Sequence, residues 1–442
     1  MPNQTLLKTA ISAALDHFRD QLAAFGDDIF SHAEVGFREE RTAALVADQL
    51  RALGLTVEER LAVTGVKARL RGARPGPTVA VLGELDGLPV PDHPSADPAT
   101  GVVHACGHNA QLTHVVGVAR ALVEANATDQ LAGDVVLMAV PAEEYVDLDW
   151  RVEQARAGRL EFLGGKAELL RLGCFDDVDM AILVHATGDA EDRQLSLRMS
   201  ANGLVAKRAR FIGRASHAGA APERGINALN AATLALQAIH MQRETFRDRD
   251  HIRVHPILTR GGSVVNVVPA DARLETFVRG ASYDAIADAA AKVDRALRAG
   301  GLAVGATVEI ETLPGYMPLI VDPSMGELFK RNALALVGDS GWAEAGPIAA
   351  STDAGDLSHV MPVLHPSHGG CSGTNHAADF FVTDPYVAYL QPAKAVAHTI
   401  VDLLADNATE ARRVLQAFEP KLTRAEYLAY MRALASFVSF RA

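Results

Sequence analysis

Four short clusters in the sequence combine side chains that can bind metal ions or move protons. The densest is His104-Ala-Cys106-Gly-His108-Asn109, in which a thiol and an imidazole stand two residues apart on a predicted loop. Cysteine and histidine at this spacing form a suitable pair of metal ligands. The alternative is a buried cysteine beside two surface histidines, and this cluster by itself favours neither.

The second cluster is a pair of adjacent carboxylates, Glu143 and Glu144, which follow the apolar run at residues 135–140. Open α/β sheets place their active sites at this position, just past the carboxyl end of a buried strand. Because adjacent side chains there point apart, one carboxylate can bind a metal ion while the other faces a water molecule. The alternative is a solvated acidic turn, which the motif alone favours.

Two further clusters each contribute one histidine. His185 follows the apolar strand pattern at residues 180–184, where a single histidine is commonly a core or rim residue. His376 ends the glycine-rich segment at residues 370–376, whose glycines could also serve loop flexibility alone. The donor groups of the four clusters are Cys106, His108, Glu144, His185 and His376. Two divalent ions a few ångströms apart need about this many ligands when one group bridges.

The first half of the chain, which contains three of these clusters, alternates helical and strand patterns. Residues 5–25 and 39–53 have the spacing of amphipathic helices. A helix-like stretch at residues 110–124 lies between apolar runs at residues 77–82 and 134–140, which is a βαβ pattern. Continuous apolar strands flanked by helices predict a parallel or mixed sheet covered on both faces.

The pattern changes near residue 200, where the predicted elements follow the order β-α-β-β-α-β. This order is typical of a ferredoxin-like domain. We therefore predict an inserted domain at residues 200–314 within a discontinuous domain of residues 1–199 and 315–442. The predicted fold class is α/β, with a mixed central sheet flanked by helices and an inserted ferredoxin-like α+β domain.

Composition excludes several classes of partner and location. The 442 residues include 42 lysines and arginines against 54 aspartates and glutamates, a net charge of −12 that disfavours binding to nucleic acid or anionic lipid. The three cysteines give no disulfide framework, and no apolar run approaches the roughly 20 residues of a membrane span. The amino terminus lacks the apolar core of a signal peptide. We expect a cytoplasmic protein without nucleic-acid or membrane partners.

Motifs in a fixed order cover nearly the whole chain: FSHAEVGFRE at 30–39, GELDGLP at 83–89, HACGH at 104–108, PAEE at 141–144, GRASHAGAAPERGINA at 213–228, GGSVVNVVPA at 261–270 and STD at 351–353. With these motifs the chain resembles the aminoacylase and glutamate carboxypeptidase superfamily of dinuclear metallohydrolases. Within it, the chain is most similar to the amidohydrolase branch of auxin-conjugate, hippurate and aminobenzoyl-glutamate hydrolases.

The resemblance implies roles for the clustered residues in a site that binds two divalent ions, Mn²⁺ or Zn²⁺. It implies these metal ligands: Cys106, His108, Glu144, His185 and His376. It assigns the general base to Glu143, which takes a proton from the attacking water and delivers it to the leaving nitrogen. Asp86 matches an acidic residue that orients a neighbouring group, although the histidine that usually precedes it is absent here.

The resemblance also implies roles in the inserted domain. His217 matches a histidine that reaches into the partner's site of a homodimer and stabilises the tetrahedral oxyanion; the alternative is a surface loop histidine. Asn266 and Arg279 match positions that hold the substrate's amide and carboxylate, and the planar fork of arginine suits a carboxylate. For Arg279 the alternative is a surface charge at a strand end. The inserted domain would then serve dimerisation or act as a lid.

The function implied is metal-dependent hydrolysis of the amide bond of an N-acyl amino acid. We expect an aromatic acyl group on aspartate or glutamate, of the indole-3-acetyl-aspartate or aminobenzoyl-glutamate type. The alternatives are a metal-dependent deaminase of an aromatic amine and a non-catalytic peptide or amino-acid binding protein. Residues 145–163 depart from the family's usual shorter connection, and we hypothesise that this insertion lines the acyl pocket. The alternative is a surface helix with Trp150 packed beneath it.

Overall fold

The structure is a computed structural model that describes residues 2–441. The α-helices of this range are α1 (Pro2–His17), α2 (Arg19–Phe30), α3 (Glu40–Ala52), α4 (His108–Glu124), α5 (Leu148–Arg156), α6 (Gly165–Leu172), α7 (Ala228–Met241), α8 (Tyr283–Val304), α9 (Pro323–Gly341), α10 (Ala354–Ser358), α11 (Gln391–Leu404), α12 (Thr409–Ala417) and α13 (Arg424–Leu434). None of them is long and apolar enough to cross a membrane.

The strands of the same range are β1 (Val57–Leu61), β2 (Gly65–Leu70), β3 (Arg74–Glu84), β4 (Leu88–Pro89), β5 (Val102–Val103), β6 (Ala132–Val140), β7 (Met180–Ile182), β8 (His185–Ala186), β9 (Leu195–Leu197), β10 (Ser200–Ala201), β11 (Gly203–Ile212), β12 (Arg253–Val254), β13 (Ile257–Arg260), β14 (Asp271–Gly280), β15 (Thr307–Tyr316), β16 (Leu319–Ile320), β17 (Trp342–Glu344), β18 (Val363–Leu364), β19 (Pro366–His368), β20 (Cys371–Ser372), β21 (Phe381–Val382) and β22 (Ser436–Phe440).

These elements form two compact units. The first unit comprises the residues up to Met199, Ile320–Pro347 and Asp356–Lys421. The second comprises Ser200–Leu319, Ile348–Gly355 and the residues from Leu422 onward. The sequence expectation placed all of residues 315–442 in the first domain. The chain beyond Leu422 groups with the second unit because β22 pairs antiparallel with β15.

The main sheet of the first unit is mixed, as the sequence predicts. Its strand order is β1-β2-β6-β3-β7-β18; β2 and β6 pair antiparallel, and β6, β3, β7 and β18 run parallel. Residues 79–82 of β3 are all at most 2% exposed, because helices and loops cover both faces of a parallel strand. Helix α4 is likewise buried along nearly its whole length.

The helix predicted over residues 5–25 is instead two helices, α1 and α2, separated at Phe18. Phe18 has φ −92° and ψ 10°, outside the helical region. Its ring lies under the Arg120 guanidinium, 4.4 Å from ring centroid to the guanidinium carbon. The turn keeps the apolar faces of both helices buried, through residues such as Ile11 and Ile29. A helical spacing of apolar residues continued through the turn, so the sequence pattern did not reveal it.

The second unit contains the ferredoxin-like arrangement predicted from the sequence. Its sheet has the strand order β12-β14-β11-β15-β22, with β13 also paired to β14. Alternate residues of β14 are buried, which is typical of a sheet packed on one face. The strand expected at residues 251–258 is divided into β12 and β13 around Pro256, since proline has no backbone N–H to donate to a ladder.

Candidate metal centre

The donor groups meet at one edge of the first unit's main sheet. Glu84 ends β3, Glu143 and Glu144 follow the end of β6, and His108 is the first residue of α4. Because β3 and β6 are adjacent and parallel, their carboxyl ends lie at the same edge.

Gly107 lets the chain pass closely enough to bring Cys106 and His108 to this edge. Its φ is 82°, in the left-handed region, and a Cβ at this position would lie 2.3 Å from the Cβ of Ala186. Glycine avoids both the strain and the collision. The close approach places the HACGH loop against β8, which begins with His185.

The structure brings all five predicted ligands together in two groups that share Cys106. In the first group, the donor atoms of Cys106, His108 and His185 lie within 4.8 Å of one another. In the second, His376 Nε2 lies 3.2 Å from Cys106 Sγ and 3.0 Å from Glu144 Oε1. One thiolate between two sets of donors is the arrangement that two neighbouring ions with a bridging ligand require.

The unsatisfied atoms of this cluster fit divalent ions. Among the described residues, neither His108 Nε2 nor Glu144 Oε1 makes a hydrogen bond of regular geometry, although each is buried 3.0 Å from a polar atom, of Glu84 and of His376 respectively. Coordination of an ion would satisfy both atoms. His108 Nδ1 lies 2.7 Å from the Asp86 backbone oxygen, so Nε2 is the nitrogen left for an ion. Sulfur, imidazole and carboxylate donors together suit Zn²⁺ or Mn²⁺.

The surroundings of Cys106 favour ionisation of its thiol. Burial and the Glu144 carboxylate would raise the pKa of its thiol, but His185, His376 and His108 lower that pKa to about 5. The thiolate, rather than the thiol, is the metal ligand. Positive charge on the surrounding imidazoles therefore favours the thiolate, and metal ions bound at this site would favour it in the same way.

Asp86 is fully buried and holds the backbone of the carboxylate pair. Its Oδ1 accepts a hydrogen bond from Glu143 N at 3.1 Å, and its Oδ2 accepts one from Glu144 N at 2.9 Å. The side chain expected to orient a neighbour therefore contacts the loop that carries Glu143 and Glu144. Its backbone oxygen also orients His108.

Two charged residues of the site were not selected from the sequence, Glu84 and Lys166. Both are fully buried, and Lys166 Nζ donates to Glu84 Oε1 at 2.6 Å. Glu84 Oε2 accepts from Gln111 Nε2 at 2.8 Å and lies 3.0 Å from His108 Nε2. Burial would raise the pKa of Glu84, but Lys166 and then His108 hold it well below its ordinary value. The two-residue spacing from Glu84 to Asp86 could have indicated a shared face.

Glu39 is a third buried charged residue near the site that was not selected from the sequence as a site residue. Its Oε1 accepts from Ala142 N at 2.8 Å and its Oε2 from Thr64 Oγ1 at 2.5 Å. Burial and the neighbouring Asp86 carboxylate raise the pKa of Glu39 to about 7. Glu39 and Asp86 thus fix the backbone N–H groups of three consecutive residues, 142–144.

In the second unit, His217 and Asn266 lie on contacting loops, whereas Arg279 is distant along the sheet. Ala218 N donates a hydrogen bond to the Asn266 backbone oxygen at 2.9 Å, and His217 forms an isolated antiparallel β-bridge with Val267. His217 Nδ1 accepts from the backbone N–H groups of Gly219 and Ala220, so the neutral ring carries its proton on Nε2 as a donor. Arg279 is near the far end of β14, paired with Leu204 of β11.

The insertion at residues 145–163 contains the short helix α5. Trp150 is partly exposed and packs against Phe37, Ala142 and Leu160, and the Arg38 guanidinium carbon lies 4.6 Å from its ring centroid. This packing agrees with the alternative of a helix with Trp150 beneath it. The hypothesis that the insertion lines an acyl pocket stays a prediction.

Comparison with known proteins agrees with this geometry. Residues 80–402 match the sequence model of peptidase family M20/M25/M40. An Xaa-Arg dipeptidase of Mus musculus is 29% identical over 90% of this chain and 89% of its own length. An N-acyl-L-amino acid amidohydrolase of Geobacillus stearothermophilus is 26% identical over 71% of this chain and 82% of its own. A dinuclear metal-binding M20 peptidase of Bacillus subtilis is similar in fold, with a TM-score of 0.64 at 20% identity, covering 88% of this chain and 99% of that one.

Proposed function

Because the chain belongs to peptidase family M20/M25/M40, and is therefore a hydrolase, we propose that it cleaves the amide bond of N-acyl amino acids with two bound divalent ions. The family resemblance of its motifs is thereby confirmed. The main support for the proposal is that two groups of metal-binding atoms share Cys106 and that Glu143 lies beside them. Glu143 Oε2 lies 3.9 Å from His108 Nε2, in a side chain only 7% exposed.

The residues of the chain divide the reaction between them. The ions would be held by Cys106, His108, Glu144, His185 and His376. When bound, they supply Lewis acidity that polarises the scissile carbonyl and acidifies the attacking water. Glu143 takes one proton from that water as its oxygen bonds to the carbonyl carbon. Glu143 then gives the proton to the nitrogen as the C–N bond breaks, which releases a carboxylic acid and an amino acid.

Three further residues supply the substrate-binding groups in this proposal. The Nε2 donor of His217 would stabilise the oxyanion, Asn266 would hold the amide, and Arg279 would bind the carboxylate of the amino acid through two parallel hydrogen bonds. For the acyl group we propose an aromatic ring, and for the amino acid aspartate or glutamate, on the similarity of GELDGLP and STDAGD to aminobenzoyl-glutamate hydrolases.

A second candidate substrate is a dipeptide that ends in a basic residue. It is favoured by the 29% identity to an Xaa-Arg dipeptidase over 90% of this chain. The net charge of −12 would also attract a cationic substrate better than an anionic one. The same site and the same proton transfers would serve both substrates.

Amino-acid release from a substrate panel, with metal content measured in the same samples, tests the proposal. We expect about two ions per chain and release of an amino acid from N-acyl aspartates and glutamates. Release from Xaa-Arg dipeptides alone would select the second candidate. Ammonia released without an amino acid would replace both with a deaminase. Metal binding with no turnover of any substrate would indicate a binding protein.

We further propose that two copies of the chain share each active site. Asn266 precedes the start of β14, whereas Arg279 is the ninth of its ten residues, so about 26 Å of extended strand separates Asp271 from Arg279. An N-acyl amino acid is shorter than this stretch of strand, which supports a site in which His217 and Asn266 come from one copy and Arg279 from the other. The exposed strand β13, with Ile257 54% and Leu258 40% exposed, offers an edge for pairing.

Mixing two inactive variants tests this sharing. Glu143→Gln and His217→Ala each remove one essential group, but a mixed dimer has one site with both groups intact. We expect the co-expressed pair to regain about a quarter of wild-type activity, since half of the dimers are mixed and one of their two sites works. A mixture as inactive as either parent would place His217 in the same subunit as its Glu143.

A further inference from the structure

Arg151 is a deeply buried cation beside the candidate metal centre. It belongs to α5, inside the insertion that follows Glu144, and only 1% of it is exposed. Arginine is almost never fully buried unless it is paired, because removing its charge from water is costly. The contacts of this side chain therefore indicate what its burial achieves.

The Arg151 guanidinium bonds to the backbone at both ends of the insertion. Nη2 donates to the Glu144 backbone oxygen at 2.6 Å, and Nη1 donates to the Leu163 backbone oxygen at 2.7 Å. Nε is buried without a hydrogen bond in the part of the chain that the structure describes. Arg151 thus links the two ends of the insertion through its guanidinium group. One of these ends is Glu144, whose carboxylate belongs to the candidate metal centre.

Glu144 is held from two sides by buried charged side chains. Asp86 Oδ2 accepts from its backbone N–H at 2.9 Å, and Arg151 donates to its backbone oxygen at 2.6 Å. Fixing both the N–H and the C=O of one residue restricts the direction of its Cα–Cβ bond. With the Cα–Cβ bond in this direction, Glu144 Oε1 lies 3.0 Å from His376 Nε2.

The neighbouring sequence leaves room for this guanidinium. A Cβ on Gly36 would lie 2.3 Å from Arg151 Nη2, so a larger residue there would displace it. The ring of Phe37 lies beneath the guanidinium, 5.3 Å from its central carbon to the ring centroid, within the range of a cation–π contact.

We propose that Arg151 is a positioning residue that holds Glu144 in the geometry needed to bind a metal ion. The insertion thereby supplies part of the support of the metal centre. This inference rests on the proposed function, because it takes Glu144 as a metal ligand.

Titration of chelator-stripped protein with Mn²⁺ alone, and with Zn²⁺ alone, by calorimetry tests the proposal. Arg151→Met keeps the length of the side chain and removes its donors, and we expect metal affinity to fall about 10- to 100-fold, as for other groups that orient ligands. Arg151→Lys keeps the charge but cannot bridge both carbonyls as a planar fork, so its affinity should be intermediate. Arg156→Met is the matched control on the exposed face of α5 and should bind like wild type.

The thermal unfolding of each metal-free variant separates positioning from packing. Wild-type metal affinity in Arg151→Met, with only a lower unfolding temperature, would overturn the proposal and leave Arg151 a packing role. If Arg151→Met does not fold, the metal affinity of Arg151→Lys serves as the test. Wild-type metal affinity in Arg151→Lys would contradict the need for hydrogen bonds to both carbonyl groups. A wild-type protein that binds neither ion would instead overturn the proposed function.

Discussion

Replacement of Glu143 by glutamine is expected to reduce turnover by about 100- to 10,000-fold, the usual contribution of a general base. Glutamine has nearly the same size but cannot accept and return the proton of the attacking water. Glu143 is outside the two donor groups that share Cys106, although its carboxylate also lies near the donor atoms of Glu84 and His108. Since the five proposed ligands stay in place, we expect metal content not to change. The check is the turnover number on the substrate found in the panel, together with elemental analysis of the same protein.

The matched control for this variant is Glu153→Gln, an exposed glutamate on α5 in the same insertion. It makes the same chemical change away from the site and should retain wild-type turnover. Activity in Glu143→Gln within a few-fold of wild type would remove Glu143 from the role of base. Loss of metal together with activity would identify Glu143 as a ligand instead.

Replacement of Lys166 by methionine is expected to lower the free energy of unfolding by about 3–5 kcal/mol, the usual cost of removing one partner of a buried ion pair. Lys166 and Glu84 are both fully buried, with Nζ and Oε1 2.6 Å apart. Without the ammonium group, the Glu84 carboxylate is left buried with the Gln111 amide and the neighbouring His108 ring, and it loses the fixed positive charge that faces it. Urea unfolding of chelator-treated protein measures the change without a contribution from bound metal.

The double variant Glu84→Gln/Lys166→Met removes both charges and should be more stable than the sum of the two single changes predicts. Lys330→Met is the control for losing a lysine from a surface ion pair, the one that Lys330 forms with Glu344, and it should change stability little. Additive effects of the two buried substitutions would show that Glu84 and Lys166 do not stabilise each other.

Much of the architecture follows from local patterns. The apolar runs at residues 77–82 and 134–140 predict buried parallel strands, and they lie within β3 and β6. The element order after residue 200 predicts the ferredoxin-like arrangement, which depends only on neighbouring segments of the chain. Side-chain periodicity acts within one element at a time, so it does not reveal where the chain turns inside a continuous apolar pattern. The separation of α1 from α2 at Phe18 was missed for this reason.

The supports of the candidate site could not be predicted in the same way. Glu84 and Lys166 are 82 residues apart, and Glu39 and Ala142 are 103 apart. Arg151 belongs to α5 within the insertion, and nothing in its neighbours along the chain marks it as buried. A buried charge is tolerated only where folding brings a partner to it, and such a partner is set by the packing of distant elements.

The sequence by itself determined the types of donor group, their order along the chain and the family of the protein, because the ability of a side chain to bind metal depends on that residue alone. Only the tertiary structure decided that Cys106 and His376, 270 residues apart, place Sγ and Nε2 within 3.2 Å. It also decided that β22 joins the second unit's sheet. The physical reason is that donor chemistry belongs to each residue alone, whereas convergence and strand pairing depend on how buried elements pack together.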